Sequence, residues 1–136
     1  MVATGVSSFR VALMLKAKGA WGRNVVTGVC DYVQSTRVAW DFLLFEDFRS
    51  SITGIDAWSG DGIIADFDDP EFERLFSRSK RPIVAVGGSY ERATDYPTGT
   101  PYVATDNIAL VAAAYDHPVE IGLTHFARYR QPPAPT

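Results

Sequence analysis

Four carboxylates fall within nine residues of this chain: Asp61, Asp66, Asp68 and Asp69, in the stretch GDGIIADFDD. A carboxylate accepts hydrogen bonds at several lone-pair sites. Asp66 and Asp68, standing just after the apolar run Ile63–Ala65, could therefore bind neighbouring hydroxyls of a sugar or hold a cation. A solvated acidic loop, with Asp69 as a helix cap ahead of Pro70, fits the same residues. Further on, the run PIVAVGGSY ends a second apolar stretch at Gly87, Gly88, Ser89 and Tyr90. Glycines there let a ligand approach the backbone, the serine offers a hydroxyl and the tyrosine a wall. A turn that simply needs glycine explains the pair equally well. Trp21, in a Gly- and Lys-rich loop, could lie against the apolar face of a sugar ring or pack on its own neighbours; Lys16, Lys18 and Arg23 beside it read as solvated. His117 and His125 have no carboxylate at metal-ligand spacing. Neither phosphate-binding glycine pattern, G-x-x-x-x-G-K-[ST] or G-x-G-x-x-G, occurs. No nucleophile elbow or acid–base pair is evident either, so these residues do not describe an enzyme.

The elements needed to position those groups are legible as apolar runs separated by helical patterns. Strands are predicted at Val11–Leu15, Trp40–Phe45, Gly62–Ala65 and Pro82–Val86. Tyr102–Ala104 can form a short strand, and Leu123–Tyr129 is a candidate for the fifth, although Arg128 and Arg130 suit a buried strand poorly. The first helix is predicted from near Arg23, with Val25, Val26, Val29, Cys30 and Val33 on one face. A short, weaker helix is expected around Ile52, Ile55 and Trp58, and another over Pro70–Ser77 with Phe72, Leu75 and Phe76 buried. The last begins after Thr105–Asp106–Asn107, whose oxygens can cap it, and is expected to end at Pro118. Alternating strands and helices predict an α/β fold, an open, parallel, doubly wound sheet of about five strands. In such sheets ligands bind at the carboxyl ends of the strands, which is where Asp66, Asp68 and Gly87–Tyr90 fall.

Composition narrows the class. With 136 residues, 46% hydrophobic and 21% charged, the chain is large enough for one domain with a core. A net charge of −3 and no basic stripe argue against nucleic-acid binding. Cys30, the single cysteine, excludes an internal disulfide and reads as a small buried hydrophobe. No signal-peptide or membrane-spanning run is present, so a cytoplasmic protein without membrane partner is expected.

The runs GRNVVTGVCDYV, WDFLLFEDFR, GDGIIADFDD, PIVAVGGSY and YVATDNIALV, in this order and spacing, resemble the bacterial xylose operon regulators. The resemblance covers roughly residues 10–110. It implies a sugar-responsive transcription activator whose sensor is similar to LacI-type and periplasmic-binding-protein domains, with a C-terminal AraC-type DNA-binding domain. Only the N-terminal lobe of the sensor matches: residues 1–9 would be a polar leader, 10–130 the truncated lobe and 131–136 a disordered tail. By resemblance the sugar would touch Trp21, Arg23, Asp66, Asp68, Ser89, Tyr90 and Asp106. The ligand implied is D-xylose or a similar pentose, held in half a cleft at millimolar strength or weaker, about −4 kcal/mol. No cofactor, metal or catalysis is implied. Operator binding would belong to the full-length family, and pairing with a second copy is the further expectation. The sequence departs from the family's pattern at Pro118, Arg128 and Arg130, which predicts a frayed or edge fifth strand. A rival reading of the residues is a stand-alone flavodoxin-like protein with a Mg²⁺-dependent acidic site at Asp66 and Asp68. Within that rival a receiver-type phosphoacceptor would need acids after the first strand, where Lys16 and Lys18 stand instead.

Overall fold

A computed structural model of the chain describes residues 8–16, 19–36, 38–45, 55, 58–76, 79–88, 90 and 92–127. It divides into two compact units, residues 1–105 and 106–136.

The first unit holds a five-stranded parallel sheet. Its strands are β1 (Phe9–Met14), β2 (Trp40–Phe45), β3 (Gly62–Asp66), β4 (Ile83–Gly87) and β5 (Tyr102–Ala104), in the order β2-β1-β3-β4-β5. Between them run α1 (Ala20–Thr36) and α2 (Pro70–Phe76). β1 is central, pairing Val11–Met14 with both Phe42–Phe45 of β2 and Gly62–Ala65 of β3.

Strand residues alternate between two faces, and each face has its own core. On one, Val11, Leu13, Leu15 and Val86 are buried under Val25, Val26 and Val29 of α1. On the other, Ala12, Met14, Ile63, Ala65, Phe67, Ile83 and Ala85 pack with Phe72 and Phe76 of α2. Helices on opposite faces make the sheet doubly wound, as the alternation of elements predicts.

Several boundaries move for identifiable reasons. Helix α1 begins at Ala20, not near Arg23, so Trp21 and Arg23 stand in its first turn instead of a loop. Cys30 on that helix is half-buried, not buried. β4 starts one residue late because Pro82 has no N–H to give the ladder; its carbonyl still accepts from Ile63 N at 3.0 Å. The place beside β4 belongs to Tyr102–Ala104, with Ala85 opposite Tyr102. Leu123–Tyr129 is therefore not the fifth strand: residues 123–127 are irregular and 128–130 lie outside the described residues. Of the expected helix around 52–58, only Ile55 and Trp58 are described, and both are buried. Trp58 lies across Gly60, where any Cβ would run into its ring, and the Arg81 guanidinium sits 5.6 Å from the ring centroid while donating to Ile55 O at 2.9 Å.

The second unit contains α3 (Asn107–Glu120). Asp106 caps it, accepting from Ala109 N at 2.9 Å. Pro118 does not end this helix but lies in its last turn. Proline removes a donor and leaves the acceptor, and Pro118 O receives Leu123 N at 3.0 Å. Gly122, at φ +86°, makes the turn that does end it. Tyr115 and Phe126 pack ring to ring at 5.4 Å.

Candidate functional site

The connection from β1 leads to β2 on one side, and that from β3 leads to β4 on the other. This divergence opens a crevice at the carboxyl ends of β1 and β3, the topological switch point of an order such as β2-β1-β3-β4-β5. Lys16 follows β1 there, and Asp66 closes β3, followed by Asp68 and Asp69.

The three carboxylates have three different surroundings. Asp66 is only 5% exposed and accepts Asp68 N on Oδ1 at 3.0 Å, bracing the turn from beneath. Burial raises its pKa above the ordinary 3.8, with the hydrogen bond from Asp68 N and the charge of Lys16 opposing. Asp68 is exposed, and both its oxygens lie 2.9 Å from Gly88 N, tying the end of β3 to the end of β4. Asp69 caps α2: Oδ1 accepts Glu71 N at 3.0 Å, while Oδ2 lies 2.8 Å from Lys16 Nζ. That hydrogen bond raises the lysine pKa above its usual value. Asp61 takes no part. It sits at the amino end of β3, where Oδ2 receives Arg10 N at 2.8 Å.

Gly87 has a use other than ligand access. A Cβ at this position would collide with Asp68 Oδ1 and the Tyr102 hydroxyl, so the chain's own polar groups fill the space. Tyr102 belongs to a cluster with Tyr90, edge-on at 5.2 Å, and Tyr96 at 4.6 Å. Its hydroxyl is buried and has no hydrogen-bond partner among the described residues. Burial, then the charge of Asp68, pushes its pKa up. Burial, then the hydrogen bond with Glu73, pushes the Tyr90 phenol up to about 12.

Of the residues singled out from sequence, Asp66, Asp68 and the backbone of Gly88 meet directly. Tyr90 reaches Asp68's surroundings through the tyrosine cluster. Trp21 and Arg23 are exposed on the first turn of α1, and Asp106 serves as a cap in the second unit. Ser89 lies outside the described residues. Sequence reasoning passed over Lys16, which its side-chain type marks as solvated, and Tyr102, whose strand is only three residues long. Strand order would have pointed to Lys16, since the residue after β1 faces the switch point. Among the described residues no three His, Cys, Asp or Glu side chains are grouped to hold a metal ion. A cavity of about 730 Å³ lies at the opposite end of the sheet, beside Phe9, Trp40, Gly62, Ile83 and Pro101. Asp61 lines it, whereas Asp66, Asp68 and Asp69 do not. No described helix is long and apolar enough to cross a membrane.

Comparison with known proteins agrees with this architecture. The family model of the XylR N-terminal domain matches residues 10–108. The xylose operon regulatory protein of Escherichia coli K12 is 46% identical over 123 residues, covering 90% of this chain and 31% of that protein. Its counterpart from Haemophilus influenzae Rd is 43% identical over 121 residues, with 89% and 31% covered. A solved structure of the xylose-binding transcription activator XylR superposes with a TM-score of 0.71 at 43% identity, covering 85% of this chain and 28% of that one. The chain thus spans about a third of the length of the relatives it matches. By the family model and by identity along nearly its whole length, it belongs to the XylR N-terminal domain family.

Proposed function

We propose that the crevice at the ends of β1, β3 and β4 is one wall of a pentose-binding cleft, and that the chain acts in xylose-responsive transcription control. The observation that carries this reading is the arrangement at the switch point, exposed Asp68 braced by buried Asp66 beside Lys16, in a chain of this family. Asp68, an exposed carboxylate with several acceptor sites, accepts from sugar hydroxyls. Asp66 sets the turn, and Trp21, Arg23, Ser89 and Tyr90 complete the proposed wall. One wall supplies part of the contacts a sugar makes in a closed cleft, so the affinity is millimolar or weaker, about −4 kcal/mol. The chemistry is recognition without catalysis, in the cytoplasm. Operator recognition belongs to the longer relatives, and residues 10–130 act as the lobe with 131–136 as its tail. Exposed Phe9, Leu44, Val84 and Val103 on the sheet favour pairing with a second copy.

Ligand-observed saturation-transfer NMR tests the reading. Transfer from the chain to D-xylose is expected, stronger than to L-arabinose and lost in Asp68→Ala. No transfer to any pentose would contradict the reading, and only a Mg²⁺-dependent rise in melting temperature abolished by Asp66→Asn would favour the flavodoxin-like alternative.

A further inference from the structure

Carboxylates alone leave a sugar site half-equipped, because a carboxylate only accepts, whereas a sugar hydroxyl both donates and accepts. The switch-point crevice contains a donor that can make up the difference. Lys16 stands two residues past Met14 of β1, and its side chain is 65% exposed. Its ammonium lies 2.8 Å from Asp69 Oδ2, and Asp69, only 13% exposed, is itself fixed by capping α2 through Oδ1. The carboxylate that holds Lys16 is therefore built into the fold, unlike the mobile partner of an ordinary surface ion pair. An ammonium has three N–H donors, so one bond to Asp69 leaves two. The fields of Asp66 and Asp68 also act on it.

We propose that Lys16 is a ligand-contacting donor of this site, aimed into the crevice by Asp69, and that it binds a hydroxyl oxygen of a neutral sugar whose neighbouring hydroxyl donates to Asp68. Asp69 is a positioning residue in this arrangement. Three carboxylates against one ammonium leave the crevice negative, so a sugar acid is excluded while the neutral sugar is admitted. The proposal rests on the pentose reading above and adds the donor and the charge selection to it.

The test uses the full chain with its lysines, Lys16, Lys18 and Lys80, unmodified and ¹³C-labelled so that each Cε–Hε signal can be read, and with ¹⁵N-labelled amides. D-Xylose is expected to move the Lys16 Cε–Hε signal and the Asp68 and Gly88 amides, leaving the Lys80 signal in place; D-xylonate is expected to move none. Lys16→Met should weaken the amide response about tenfold, the scale of one charge-assisted hydrogen bond, with partial recovery in Lys16→Arg. Asp69→Asn, which can still cap the helix, should shift the Lys16 signal before any sugar is added. Amides that respond to xylose equally in wild type and Lys16→Met overturn this proposal alone, as does xylonate binding as well as xylose. Amides silent to every pentose overturn the pentose reading and this one with it.

Discussion

Asp66, Asp68 and Asp69 are the same residue type within four positions, yet each does a different job, and the difference is set by burial and backbone partners. The buried Asp66 is the one whose protonation the fold must feel. Its folded-state pKa is raised, so the folded chain holds its proton more tightly than the unfolded chain does. Stability from this group is therefore greatest below the unfolded value near 3.8 and falls as pH rises through the raised folded value. Asp66→Asn removes that slope while keeping an acceptor for Asp68 N. Urea midpoints measured from acid to neutral pH should converge with wild type at low pH and exceed it near neutrality. Gly87 offers a second residue-scale test. A methyl there meets Asp68 and Tyr102, so Gly87→Ala should cost about 1–3 kcal/mol in denaturant unfolding. Tyr102→Phe deletes a buried hydroxyl that has no partner among the described residues and should be neutral or stabilising by up to about 1 kcal/mol. The sequence made Asp66, Asp68 and the Asp69 cap readable because strand ends and caps have local signatures. It could not distinguish a glycine that admits a ligand from one that admits Asp68, since that depends on which residue of β3 reaches the end of β4.

At the scale of elements, local pattern carried the sheet well where strands were apolar runs. It failed where the decision is tertiary. Tyr102–Ala104 is three residues long and looks marginal, whereas Leu123–Tyr129 is long enough for an ordinary strand. The short segment takes the edge because Ala85, Val86 and Gly87 of β4 present it with an unpaired ladder. The persistence of α3 through Pro118 has a similar lesson: near a helix end, the loss of one donor matters less than it does mid-helix. Helix α2 is only seven residues long, too short to persist on its own. It is held by Phe72, 3% exposed, and Phe76, 4% exposed, packed against Ile63 and Ala85 of the sheet. Phe72→Ala should therefore cost about 3 kcal/mol, read from the urea midpoint, and should release the Asp69 cap and the Lys16 pair together.

For the whole molecule, the strand order matters more than any single residue. It sends successive connections to opposite sides at β1 and β3, and so collects Lys16, Asp66, Asp68 and Asp69 from separate parts of the chain into one crevice. The cavity at the amino ends of the strands has none of these groups; Asp61, which lines it, is bonded to the Arg10 backbone N–H. The crevice at the carboxyl ends is the proposed pentose site. Mapping amide shifts over the whole chain during a D-xylose titration tests it most directly. The predicted map is confined to Lys16, Trp21, Arg23, Asp66–Asp69 and Gly88–Tyr90, with a weak, millimolar-range saturation that Asp68→Ala removes. Shifts centred instead on Phe9, Trp40, Ile83 and Pro101, or none at any sugar concentration, would contradict it.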